Sequence, residues 1–543
     1  MSRPDERDEE ARFRSPPLDA SAKSAGSDHL LGQFDRHSLV LWLNPDLSAD
    51  LDTRAGALPA YSVEAADSAP MRAFSAHLHE TIHYWQAIGT TAGFLYALGD
   101  ATSTFATLDD LIASGHRRKP ILRTLPETAD ENDPAWLACL RWSHIEYGCG
   151  ILDDPLRTVA RLREDRSRFV SPGQSLLSLC ANSAATLANA FDRGFAGLIN
   201  PEPWMDAYRK FVADRHSGFE TDSIFEIHIG LRDLAEGQAR ISEIQHRDLT
   251  QRAVSWQEVK ANGWLDRAYG RAFELYLQLA HLSEPETPRD DCVNLFLLLC
   301  DIALNPAVGY AESLDPARLF VHDFHPGVRF ESLCRAVAAD HGILSAEFPS
   351  LEAYEAVSGR LCGELGWKTP TETTRLLLER WERSGAGDEL ADQQHTRDYG
   401  SADVHRRYAI GEHRNFLDTR VQIPHFFCWP AWSLLMFDED GDYAANVNQL
   451  LSWHRCPFTA QEDRGVTTVE IPRLSPTQEP QFVSDYFAIL SLYDLTRQWI
   501  AKPRGFVWDR FHWKQPLTAR DIERLKERFE FTFKVPLDSI EPV

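Results

Sequence analysis

AHLHETIHYWQAIG, residues 76–89, decides how the rest of the chain is read. It lies in a segment that opens on a capping residue, Asp67 or Ser68. Pro70 falls in what would be the first turn and Gly99 stands where a helix would stop, so the sequence predicts one long helix. Phe74, Leu78, Ile82, Trp85, Ile88 and Ala92 recur at three- and four-residue intervals and give that helix a packing face. On another face His79 and His83 stand four apart. That is one turn, so both imidazoles can reach a single cation at about 2 Å from each nitrogen. Glu80, one residue round from His79, can touch a water on that cation without ligating it. Zinc lowers the pKa of such a water toward ~7. The H-E-x-x-H spacing therefore predicts Zn2+ on His79 and His83, Glu80 as general base, and hydrolysis of a carbonyl bond. Gln86 shares the ligand face and can hydrogen-bond an imidazole, while Gly89 and Gly93 leave room for a neighbouring helix.

Outward from this helix, residues 1–33 are rich in Ser, Asp, Glu, Arg and Pro and are expected to form a disordered tail. HSLVLWLNPD, residues 37–46, reads as a short strand closed by a turn. Apolar positions then recur at helical spacing in Ala135–Glu146, Ser175–Ala190, Ile224–Gln245, Ala268–His281 and Cys292–Leu304. The polar stretch at 384–407 separates this region from a final one with a strand-like VTTVEIPRL and a helix over Asp485–Ala501. The expected class is mainly α (α+β): a metal-binding domain over 34–345 with a small sheet, then an α+β region over 346–543. No internal repeat and no heptad register is present.

Composition narrows the partners. Hydrophobic residues make up 43% and charged residues 25%, ordinary globular usage. The formal net charge of -25 repels a phosphate backbone and an anionic membrane surface, so neither nucleic acid nor membrane is an expected partner. The charged opening residues do not resemble a secretory signal, and no apolar run reaches the ~18 residues needed to span a bilayer. The nine cysteines are scattered, with no C-x-x-C pair, which argues against a disulfide framework and a thiolate metal site. The expected location is the cytoplasm.

The motif resembles the zincin superfamily of metallopeptidases, and the likeness covers the motif helix and one later segment. Metzincins continue the pattern to a Gly and a third His, where this chain has Gln86 and Gly89, so the resemblance points to the gluzincin branch. That branch takes its third ligand from a Glu on a later helix. The resemblance implies Glu236, in GLRDLAEGQARISEIQ, with Gly237 and Ala239 as small neighbours that permit close approach to the metal helix. Glu146, in HIEYG, is the alternative, and Asp100 ranks last. Arg240 stands where a carboxylate often supports the site in that branch. The implied substrate is a peptide or protein; the oligomeric state is not legible.

A zinc hydrolase also needs a donor for the developing oxyanion. VHDFHPGVRF, residues 321–330, offers His325 beside a Pro-Gly turn, and Tyr310 is a further candidate. Two other readings compete: a helical protein-interaction module whose H-E-x-x-H binds nothing, and a non-haem iron enzyme using the same His, His and Glu ligands. The phosphate-binding glycine loops and the G-x-S-x-G elbow are absent, which sets aside nucleotide and serine-hydrolase chemistry.

Overall fold

The computed structural model describes residues 32–44, 69–125, 130, 132–164, 172–215, 227–250, 253–315, 320–385, 404–436, 453–461, 465–468, 479–508 and 517–543. The expected tail up to residue 31, the capping residues Asp67 and Ser68, most of the polar stretch 384–407 and the end of VTTVEIPRL lie outside these.

Two strands come first, β1 (Gly32–Asp35) and β2 (Val40–Leu43), joined as an antiparallel hairpin. The Asp35 carboxylate shapes their turn by accepting the His37 backbone N–H at 3.1 Å and the Ser38 hydroxyl at 2.6 Å. β1 was not foreseen, and its first residues fall inside the expected tail.

The motif helix, α1, spans Ala69–Gly89, and α2 follows at Thr91–Ala97. The single helix expected to reach Gly99 is thus broken at Thr90. Thr90 is extended (φ -116, ψ 152); its hydroxyl accepts from the Gly93 N–H and donates to the Gln86 carbonyl at 2.6 Å, and Asn305 accepts the Thr91 N–H. A hydroxyl cap that satisfies a new helix start has outcompeted helix continuation. The apolar pattern runs through the break, which hid it.

Helices α3 (Gly99–Ser114), α4 (Pro134–Asp153) and α5 (Pro172–Phe191) pack on one another. α6 (Leu231–Thr250) then lies against α1, flanked by α7 (Ala268–Leu279) and α8 (Asp291–Leu304), with α9 (Pro326–Ala339) behind. α8 is buried from Val293 to Leu304, as its apolar run predicts. α10 (Val404–Gln422) packs on α1. Its Phe416 ring faces Gly89, where an added Cβ would stand 2.7 Å from Phe416 Cδ1, so Gly89 admits a neighbouring helix as expected.

β3 (Phe458–Gln461) and β4 (Gly465–Thr468) complete a four-stranded sheet, and α11 (Glu479–Ala501) packs on α10 and α3. β2 pairs with β3 in parallel, Val40 opposite Phe458 and Trp42 opposite Ala460. The sheet therefore joins the first described residues to the last quarter of the chain, across the boundary expected between 345 and 400. A periodicity argument sees local pattern only, and this pairing is between distant segments.

The protein is mainly helical with a small sheet, as the sequence predicts. One hydrophobic core gathers side chains from β2, α1, α3, α4, α5, α10 and α11; a second surrounds α8. α1 belongs to the first and most of α6 to the second, so the seam between these two helices runs where the cores adjoin. Among the described residues no helix is long and apolar enough to cross a membrane.

Candidate metal centre

Along the seam α1 presents Ser75, His79, His83 and Gln86, and α6 presents Glu243, Glu236 and Ala235. Higher numbers on one helix meet lower numbers on the other: Ser75 reaches Glu243, His79 reaches Glu243 and Glu236, and His83 reaches Glu236. The helices thus run antiparallel, with two polar stripes of helical period face to face.

At the middle of the seam three electron-pair donors converge. His79 Nε2 and His83 Nε2 are 3.1 Å apart, and Glu236 Oε2 stands 3.2 Å from His83 Nε2 and 3.6 Å from His79 Nε2. A tetrahedral ion with ligand bonds near 2 Å needs its donors about 3.3 Å from one another, which is the size of this triangle. Among the described residues it is the single group of three or more His, Cys, Asp or Glu side chains able to hold a metal, and all three are buried.

The outer atoms of the rings fix which nitrogens face inward. Gln86 Nε2 donates to the Ala235 carbonyl and to Gln238 Oε1, both at 3.0 Å, so Gln86 Oε1 must turn to His83 Nδ1, at 2.8 Å. An amide oxygen only accepts, so His83 carries its proton on Nδ1 and aims a lone pair from Nε2. His79 Nδ1 donates likewise to Glu243 Oε2 at 3.1 Å. Glu243 in turn accepts from Arg240 Nη1 at 2.7 Å. Two lone pairs and a carboxylate oxygen facing one another out of water repel unless a cation or proton lies between them.

The charges agree. Glu80, Glu236 and Glu243 set three carboxylates against the one guanidinium of Arg240, leaving two negative charges for a divalent cation to balance. Burial would lower the His79 imidazole, but Glu236, Glu243 and Glu80 outweigh it and push it up to about 9. Glu236 is held well below the usual carboxylate range, against its burial, by His83 and His79. Arg240 and His79 likewise overcome burial to bring Glu243 down to about 2.

Glu80 is buried on the side of α1 that meets β1. An added Cβ on Gly32 would stand 2.7 Å from Glu80 Cγ and 3.0 Å from its Oε1, so only glycine lets the strand lie over this carboxylate. Burial pushes the Glu80 carboxyl above its usual range in spite of the two imidazoles.

No protein family, curated protein or solved structure matches this chain. The site is therefore read from its own atoms.

His79, His83 and Glu236 come together, with Glu80 alongside. The alternative, Glu146, is instead paired with Arg497 at 2.9 Å, and Arg497 also bonds Asp100. Neither carboxylate belongs to the cluster. His325 is not a free donor: it caps α9 through Nδ1, which accepts the Gly327 N–H, and its Nε2 contacts the Ile151 carbonyl at 2.9 Å. Both nitrogens are committed, and burial lowers the ring to about 4. Tyr310 is packed against the rings of Phe94 and His413. Gly237 faces away from the metal helix, with its nearest neighbours in Phe296, Ala272 and the Tyr269 carbonyl. Its tightest neighbour is the Phe296 ring of α8, at 3.2 Å from an added Cβ, so it gives room to α8 rather than to α1.

Two residues of the site were missed. Glu243, two turns beyond Glu236, supplies the supporting carboxylate that Arg240 displaces from its customary place; the seven-residue spacing from Glu236 was the available signal. Tyr269, at the start of α7, sets its ring 5.9 Å from the His79 ring, edge to face, with the Arg240 guanidinium 4.3 Å over it. No local pattern marks it.

Proposed function

We propose that this chain is a zinc-dependent hydrolase, a metallopeptidase acting on a peptide or protein, as the zincin resemblance implies. The observation that supports it best is the convergence of His79 Nε2, His83 Nε2 and Glu236 Oε2 with every outer atom of the rings already bonded. Zinc held there would supply a Lewis acid that makes water nucleophilic near neutral pH. Glu80 acts as the base. Its buried carboxyl, with a proton affinity raised toward the working range, takes one proton from the attacking water as the oxygen adds to the carbonyl carbon. The same proton then passes to the departing nitrogen as the amide C–N bond breaks, giving a carboxylic acid and an amine from one water, which separate as carboxylate and ammonium once the acid proton moves to the amine. Glu243 and Gln86 keep the two rings in the tautomer that binds a cation. All nine cysteines are free thiols, which supports a reducing, cytoplasmic setting.

Elemental analysis with peptide turnover tests the reading. The purified protein is expected to hold one zinc per chain, Glu236→Ala to lose most of it, and Glu80→Gln to keep it while losing roughly 10²- to 10⁴-fold in rate. Iron in place of zinc would move the chemistry to redox. A chain that takes up no metal would leave an interaction protein.

A further inference from the structure

Tyr269 stands at the metal centre on a third helix, and several features place it there. Arg267, two residues earlier, has φ 62 and ψ -125, a conformation that a residue with a side chain rarely adopts. Gly270 follows; a Cβ there would lie 2.0 Å from the Leu265 carbonyl oxygen, so only glycine closes this turn. A strained backbone and a required glycine thus seat one phenol beside His79, and Arg240 clamps its ring from above.

Among the described residues the polar side chains nearest the centre are engaged, Arg240 Nε excepted. Ser75 and Arg240 bond Glu243, Gln86 bonds His83, and Gln238 bonds Gln86 and the Phe427 carbonyl. The phenol lies within electrostatic reach of both Glu236 and Glu80, the carboxylates that flank the reacting position. Arg240 also hydrogen-bonds the phenol; a guanidinium only donates, so it takes the phenol oxygen and leaves the phenolic hydrogen for a carbonyl oxygen gaining negative charge.

We infer that Tyr269 is a catalytic residue of the proposed hydrolase, donating its phenolic hydrogen bond to the substrate carbonyl oxygen as that oxygen becomes an oxyanion. The inference rests on the metal-hydrolase reading. It replaces His325 in the donor role and gives Arg240 a positioning role, since one guanidinium orients both Glu243 and the Tyr269 ring.

The test uses the full chain loaded with cobalt(II) and titrated with acetohydroxamate, an oxyanion-bearing probe, followed by the visible absorption of the metal. Tyr269→Phe keeps the ring that Arg240 and His79 contact. It is expected to bind one cobalt per chain, like the wild type, with a hydroxamate dissociation constant about tenfold higher or more, the loss of one hydrogen bond to a charged group. Equal affinity in the two proteins overturns the inference. So does loss of cobalt from the variant, which would make Tyr269 a ligand or a structural support. Failure of the wild type to bind cobalt overturns the metal centre itself, and the donor role with it.

Discussion

The first helix carries two buried polar clusters, and they differ in one respect that matters. Near its end, Arg420 on α10 forms a two-pronged ion pair with Asp301 on α8, at 2.9 and 3.0 Å, and also donates to the Gly89 carbonyl. Tyr354 and Asn305 donate to the same carboxylate at 2.9 and 3.2 Å. Each Asp301 oxygen is met by donors, and the charges cancel. Two turns earlier, at the metal centre, the outer atoms are equally well bonded but the inner ones are all acceptors. The same depth of burial therefore encodes different things: a closed cluster holds helices together, and a cluster with inward-facing lone pairs and surplus negative charge could hold an ion.

Three measurements test this contrast. The largest effect is expected at the closed cluster. Arg420→Met leaves Asp301 charged and uncompensated, and should lower unfolding free energy by about 3–5 kcal/mol in denaturant titrations, with zinc content unchanged. A loss of zinc in that variant would mean the clusters are not independent.

Next comes the pH dependence of the metal-free protein. The His79 imidazole rises from its usual 6.5 to about 9 on folding, so its protonated form contributes stability that is fully present below pH 6.5 and lost as pH climbs through 9. The decline should be on the order of 3 kcal/mol. Bound metal takes the proton's place and should abolish it. A flat profile for the metal-free protein over that range would show that no proton bridges His79 and Glu236.

The smallest effect belongs to the supporting carboxylate. Glu243→Gln keeps the shape but weakens the hold on His79, and zinc affinity measured by competition with a chelator should fall about 10- to 100-fold. An unchanged affinity would make Glu243 a partner of Arg240 alone.

The motif helix could be read because its two periodicities, apolar and ligand, are both local. Glu236 was reachable through its small neighbours, although Gly237 makes room for Phe296 of α8 and not for the motif helix. Glu236 lies off the apolar stripe of Leu231, Leu234 and Ile241, yet α6 is buried on nearly every side, so a position off the stripe still lies inside the protein. Glu243 could have been marked by its seven-residue spacing from Glu236, but its contact with His79, 164 positions away, and that of Tyr269 act across helices and are not written in local spacing. His325 failed because a turn that can present a side chain to a cleft can equally turn it inward to cap a helix. The break at Thr90 and the pairing of β2 with β3 were hidden for the same reason: tertiary partners decide them.

That last pairing has a consequence for how the protein is made. β1 covers Glu80 but is held through β2, whose neighbour is β3, and Cys456 just before β3 contacts the Leu39 carbonyl from 417 positions away. At ~5–20 residues per second of synthesis, tens of seconds separate the emergence of the ligand helices from that of the strand that completes their cover. A nascent chain therefore carries His79, His83 and Glu236 well before the wall over Glu80 can be locked, and the finished candidate centre belongs only to the nearly complete polypeptide.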